Sequence, residues 1–115
     1  MTDTTQTALG AVTFDADHVA TLTLAMPRAN RIDPTFGQGL SAALDAVLAH
    51  PGVAGLILTS AHRDFCVGAD IGMVFSQQDP AESYAMCLAL DALFRRLETC
   101  GIPVVAALNG TALGG

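Results

Sequence analysis

The sequence contains no lysine and no tryptophan, and only 14% of its 115 residues are charged, against roughly 25% in an average soluble domain. Its five basic residues are therefore all arginines (Arg28, Arg31, Arg63, Arg95 and Arg96), set against 11 acids for a formal net charge of −6. Arginines scattered on an acidic background form no stripe that could track phosphates, which excludes nucleic acid as a partner. Cysteine is sparse: Cys66, Cys87 and Cys100 make an odd count with no CxxC pair. Neither a disulfide framework nor a zinc site is expected, and no metal site at all; a reducing, cytoplasmic setting fits. Long hydrophobic runs are missing too. The most apolar late stretch, residues 102–115, is interrupted by Pro103, Asn109, Gly110 and Gly114, so no membrane span is expected. Residues 1–10 lack the basic-then-apolar order of a signal peptide.

What is present is apolar. Hydrophobic residues make up 51% of the chain, which excludes disorder as the main state. A small independent domain has a high surface-to-volume ratio and needs more charge than this. The composition therefore points to a piece of a larger domain, or to a chain with much surface covered in an oligomer.

Residues 1–10 read as a polar tail. Ala11 to Phe14 and Val19 to Leu24 alternate like strands, joined by the turn-forming Asp15-Ala16-Asp17-His18. An irregular connection, Met26 to Ile32, leads to Asp33-Pro34, a helix start with Asp as N-cap and Pro in the first turn. Apolar residues at helical spacing follow as far as Val47-Leu48, and Pro51-Gly52 ends the helix. Val53 to Thr59 reads as a strand buried on both faces. Beyond the loop Ser60 to Gly68, a short helix begins near Asp70. Asp79-Pro80 repeats the cap signal for a long helix ending at Gly101, and Pro103 to Leu108 is a further buried strand. The order β-β-α-β-α-α-β predicts an α/β fold whose strands run parallel after the first hairpin.

Two places join a buried strand to a tight turn of small residues and a helix start. They are Phe65-Cys66-Val67-Gly68-Ala69-Asp70-Ile71 and Asn109-Gly110-Thr111-Ala112-Leu113-Gly114-Gly115. Such turns expose backbone N–H groups to a ligand, and two N–H groups aimed at one point would stabilise an oxyanion. Glycine turns after strands are also common as purely structural features, and neither segment matches a phosphate-binding signature.

Taken together the turns resemble the enoyl-CoA hydratase/isomerase (crotonase) superfamily. Phe65 to Ile71 is similar to its FxxGADI segment, and Pro103 to Gly115 to its PxxAAxxGxxxGGG segment. Pro27, Ala29, Asn30 and Asp33 resemble its early P-x-x-N-x-x-(D/N) stretch. Residues 11–115 would then be the incomplete, amino-terminal part of one crotonase-type domain, a truncated (ClpP-like) spiral of repeated ββα units. The resemblance implies acyl-CoA thioester substrates, with the thioester oxygen held by the backbone N–H groups of Ala69 and Gly115. Arg28, Ala29 and Asn30 would lie along CoA, with Gly68, Asp70, Ile71 and Gly114 around the pocket. Many relatives carry a lysine just after the ADI triplet; here that position is Gly72. The family's acid and base glutamates would lie past Gly115, so the 115-residue piece alone is expected to be inactive. Hydration needs no cofactor. Val67 and the Phe94-Arg95-Arg96-Leu97-Glu98 helix end resemble the bifunctional fatty-acid oxidation proteins, which would add a dehydrogenase domain using NAD and a thiolase subunit as partner. Otherwise a trimer-based homo-oligomer is implied. Isomerase, decarboxylase or thioesterase chemistry, and a non-catalytic acyl-CoA-binding or scaffolding role, share the same turns.

The remaining candidates favour structural roles. His18, His50 and His62 have no ligand or triad spacing and are read as facing solvent. Cys66 is read as a packing residue and Asp70 as a helix cap before an acid or base. Arg95 and Arg96 are assigned to the helix end or a subunit contact, and the Tyr84 to Leu97 stripe to core or trimer interface.

Overall fold

The computed structural model describes residues 3–76 and 79–115, apart from the side chains of 73–75. A five-stranded sheet runs in the order β1-β2-β3-β4-β5. β1 (Asp3–Thr7), β2 (Gly10–Phe14) and β3 (Val19–Leu24) form an antiparallel meander. β4 (Gly55–Ser60) then joins β3 in parallel, and β5 (Val104–Ala106) joins β4 in parallel. The sequence-based expectation of a hairpin followed by parallel strands is met.

Alternation explains the core. Val12, Phe14, Ala20, Leu22 and Leu24 are buried on one face of β2 and β3, with Val12 opposite Leu22 and Phe14 opposite Ala20. Helix α2 (Pro34–Ala49) covers that face through Phe36, Leu40, Ala43, Leu44 and Val47, and Leu56 of β4 completes the cluster. Gly39, which lowers helix propensity, lies against Leu9: a Cβ there would sit 3.4 Å from Leu9 Cδ1. The glycine allows close approach of helix and sheet.

Two readings of the sequence are corrected. The polar tail 1–10 holds strand β1, and it also holds Leu9, which is fully buried. β1 escapes a pattern search because Asp3 to Gln6 are exposed on both faces, so no hydrophobic alternation marks it. Its threonines favour extended backbone, and Thr7 Oγ1 ties the turn by accepting from the N–H groups of Leu9 and Gly10. The second correction concerns Pro103 to Leu108. Only Val104–Ala106 forms a strand, and Val105 and Leu108 are more than half exposed. β5 is the edge of this sheet, and apolar composition marks it as suited to burial without supplying a cover.

The long helix α4 (Pro80–Glu98) lies across α2, with Asp79 Oδ1 capping it through the Ala81 N–H. Leu90, Leu93, Phe94 and Leu97 pack on the core, whereas Tyr84 and Leu88 are exposed. Arg96 holds the two helices together by donating to Ser41 O and Oγ and pairing with Asp45. That is a contact within the chain, where the sequence suggested a helix-end or subunit role. Among the described residues no helix is long and apolar enough to cross a membrane.

Candidate active site

The connection between β3 and α2 is where the backbone departs furthest from ordinary geometry. It forms a single turn, α1 (Pro27–Asn30), in which Arg28, Ala29 and Asn30 have φ of 58°, 58° and 59°. Three successive non-glycine residues in the left-handed region cost about 1–2 kcal/mol each. Such strain persists only where surrounding contacts enforce it.

Asn30 supplies the enforcement. It is fully buried, and its Oδ1 accepts from the Met26 N–H at 2.8 Å. Its Nδ2 donates to Ser60 Oγ and to Phe65 O, both at 2.8 Å. Its carbonyl accepts from Cys66 Sγ at 3.2 Å. The family resemblance placed Asn30 along the ligand; in the structure its side chain faces inward and binds three elements of the protein together. His62 adds a further tie, with Nε2 2.7 Å from Met26 O, so it is half-buried and engaged where a solvent-facing role was expected. Cys66, buried, has the packing role expected of it.

From this turn the chain runs beside the first glycine segment. Ile32 N–H donates to Gly68 O at 2.8 Å, and Asp70 N–H donates to Ile32 O at 2.9 Å, which makes Ile32 and Ala69 a parallel bridge. Arg31 and Asp70 reinforce the same junction with an ion pair of 3.6 Å. Both side chains are partly exposed, so the pair is a modest contributor.

The second glycine segment docks on the other side of the first. The N–H groups of Phe65 and Cys66 donate to Thr111 O at 2.9 and 3.1 Å, and Leu113 N–H donates to Cys66 O at 2.9 Å. Cys66 and Ala112 thus form another parallel bridge. The two turns that the sequence separates by more than forty residues therefore lie side by side. Gly68 has φ +87° and Gly114 φ +68°, conformations in which a side chain is strained.

The backbone N–H groups of Ala69 and Gly115 have no hydrogen-bond acceptor among the described residues, and neither do those of Gly68, Asn109, Gly110, Thr111, Ala112 and Gly114 in the same turns. Ala69 and Gly115 are both exposed. Polar backbone is normally paired when buried; here donors on both adjacent turns, those of Ala69 and Gly115 among them, are left open toward the surface. Gly115 is walled on one side, since a Cβ there would fall 2.9 Å from Phe94 Cε2 and 3.8 Å from Ile32 Cδ1.

Two cavities adjoin this region. An apolar cleft of about 610 Å³ lies between α2 and α4, with Ile32, Pro34, Gly37, Met86, Leu90 and Leu93 among its walls. A smaller cavity of about 260 Å³ is lined by Met26, Pro27, Arg28, Arg31, Asp33, Thr35 and Asp70. Of the expected site residues, Arg28 and Asp70 line the smaller cavity, Gly68 is buried between the turns, and Ile71 is 68% exposed. Among the described residues no three His, Cys, Asp or Glu side chains gather about one point.

The family model for enoyl-CoA hydratase/isomerase matches residues 15–115, which includes all three converging segments. The chain belongs to the enoyl-CoA hydratase/isomerase family. It is 43% identical over 89 residues to the fatty acid oxidation complex subunit alpha of Acinetobacter baylyi, covering 75% of this chain and 12% of that protein. It is 36% identical over 107 residues to a Thermus thermophilus protein provisionally named an enoyl-CoA hydratase, covering 90% of this chain and 42% of that one. The enoyl-CoA hydratase structure from Bacillus anthracis superposes with a TM-score of 0.76 at 27% identity, over 90% of this chain and 40% of that one. That from Geobacillus kaustophilus gives a TM-score of 0.83 at 24% identity, over 96% and 41%, a likeness of fold alone. The crotonase fold expected from the two glycine motifs is thus established. This family member spans less than half the length of each of these relatives.

Proposed function

We propose that this chain is the acyl-CoA-binding portion of an enoyl-CoA hydratase that adds water to trans-2-enoyl-CoA in fatty-acid oxidation. The observation that carries the reading is the pair of open N–H donors, Ala69 and Gly115, on two glycine turns locked together by backbone hydrogen bonds. In this reading both donate to the thioester oxygen. As water adds to the β-carbon, electron density moves onto that oxygen and gives an enolate. Fixed donors about 2.7–3.1 Å from it stabilise this charge without reorganising. Small residues are needed because backbone, and not side chain, must reach the ligand.

The other parts follow from the same arrangement. Arg28 and Ala29 on the strained turn would lie along CoA, Arg28 offering a positive charge that Gly72 does not. Gly68, Asp70, Ile71 and Gly114 would border the reacting end. Asn30 would act through the shape of the turn. Proton transfer to and from water would fall to the family's glutamates following the glycine turn, so residues 1–115 alone are expected to bind without turning over. The hydration step takes no cofactor; NAD would enter only with a dehydrogenase domain. A trimer-based homo-oligomer, or a complex with a thiolase subunit, and a cytoplasmic location complete the proposal.

The test is turnover by the full-length gene product. Loss of the conjugated-enoyl absorbance with trans-2-enoyl-CoA, and formation of the 3-hydroxyacyl product, is the expected result. Migration of the double bond without water uptake would make it an isomerase. No binding of acyl-CoA at millimolar concentration would remove the proposal altogether.

A further inference from the structure

His62, in the loop after β4, holds both the strained turn and the second glycine segment, each by a different group. Its ring Nε2 lies 2.7 Å from Met26 O. A carbonyl oxygen can only accept, so Nε2 carries the proton and donates it. The His62 backbone carbonyl accepts from Asn109 Nδ2 at 2.9 Å, at the start of the segment that carries Gly115. Its own N–H donates to Ser60 Oγ at 3.0 Å, the same oxygen that accepts from Asn30 Nδ2 at 2.8 Å.

Met26 is the N-cap residue of α1, so the ring acts at the entrance of the strained turn. Within the turn, the Met26 carbonyl also accepts from the Asn30 N–H, at 3.3 Å, a long bond for N–H···O. The 2.7 Å bond from His62 is the tighter of its two partners. Asn30 thus pins the exit of the turn and His62 its entrance, with Arg28 and Ala29, both at φ 58°, between them. Left-handed backbone persists only while such contacts enforce it.

We infer that His62 is a positioning residue for acyl-CoA binding, which sets the turn carrying Arg28 and Ala29 against the second glycine segment. The inference rests on the reading that Arg28 and Ala29 lie along CoA. A ligand that lies across two segments binds best when their spacing is set before it arrives. His62 is half-buried and lines neither cavity beside the turns, so its effect on a ligand passes through Met26 and Asn109 and not through contact.

The experiment titrates the full-length gene product with a saturated acyl-CoA in a calorimeter, so that binding is read without turnover. His62→Leu removes the ring donor and is expected to weaken binding about fivefold, the fold-change that one net hydrogen bond carries. His62→Gln returns an N–H donor of similar reach and should restore binding to within about twofold of the parent. Val47→Ala, fully buried in the core, reports destabilisation alone and should keep its affinity per folded molecule. Asn109→Ala releases the other end of the link and should cost about as much as His62→Leu, with the double variant no worse than either. Hydrogen exchange supplies a readout that needs no ligand. The Met26 and Asn30 amides, measured against those of β2, should exchange faster in His62→Leu and recover in His62→Gln. Unchanged affinity in His62→Leu, or a glutamine variant that behaves like the leucine one, overturns the inference. So do losses that multiply in the double variant, or an Asn109→Ala variant that binds like the parent, since the ring would then act without the second segment. If the two amides respond as stated but the wild-type protein binds no acyl-CoA at millimolar concentration, the hold on the turn stands and it is the acyl-CoA reading that fails.

Discussion

Gly68 and Gly114 pack against one another across the two turns: a Cβ on Gly68 would lie 2.9 Å from Leu113 O and 3.8 Å from Gly114 Cα. The Leu113 carbonyl leaves no room for a Cβ on Gly68, and Gly68 also has φ +87°. Gly68→Ala must therefore overcome both a backbone clash and left-handed strain. A loss of at least about 2 kcal/mol is expected from the strain and displacement together. Urea denaturation of the full-length gene product measures it, and acyl-CoA affinity should fall with it. A variant as stable as the parent would mean that the turns do not pack this way.

Asn30 offers a sharper discrimination, between a ligand contact and a structural pin. Asn30→Ala leaves the Met26 N–H and Phe65 O without their partner inside the protein. It also places a less tolerant residue at φ 59°. The expected cost is about 2–4 kcal/mol, since buried polar groups lose their partners. Asn30→Asp should be no better, because its second oxygen would face the Phe65 carbonyl. A ligand contact would instead show as weakened CoA binding at unchanged stability. Denaturation and titration calorimetry on both variants separate the two.

Asp33 caps α2 through a 2.8 Å bond from the Phe36 N–H and also lines the smaller cavity. Asp33→Ala is expected to cost about 1 kcal/mol, the usual value for a lost N-cap, and Asp33→Asn much less. If both lose the same amount, charge toward the helix dipole or the cavity matters more than the cap hydrogen bond. Thermal unfolding of the two variants decides it.

Much of the architecture is legible in the chain because its signals are local. Asp33-Pro34 and Asp79-Pro80 announce their helices, and both aspartates cap as expected. Val19 to Leu24 alternates and is a strand with those bounds. The two glycine segments are visible as turns, and their docking is consistent with the family pattern. What escapes the sequence depends on tertiary partners. β1 carries no apolar face, so only its pairing with β2 reveals it. The burial of Asn30 and the His62 tie to Met26 need positions thirty or more residues apart to meet. One signal for Asn30 was available: among non-glycine residues, asparagine is unusually tolerant of the left-handed region.

Arg96 is a similar case. Its bonds to Ser41 and pairing with Asp45 clamp α4 on α2 beside the large apolar cleft. Arg96→Met keeps the apolar stem and removes the hydrogen bonds. A loss of about 1 kcal/mol is expected for such part-exposed, charge-assisted bonds. Hydrogen exchange should quicken in α4 and not in β2 or β3. Uniform acceleration across the sheet would contradict a local clamp.

The most direct measurement on the central claim is the infrared stretch of a 13C-labelled thioester carbonyl bound to the full-length gene product. Two N–H donors on that oxygen should move the band to lower frequency than in buffer. Replacing the Ala69 amide with an ester, by incorporating lactate at that position, deletes one N–H without the constraints of proline. The band should then return part of the way. A bound carbonyl that absorbs where the free one does, or that ignores the ester substitution, would show that Ala69 and Gly115 do not hold the thioester oxygen.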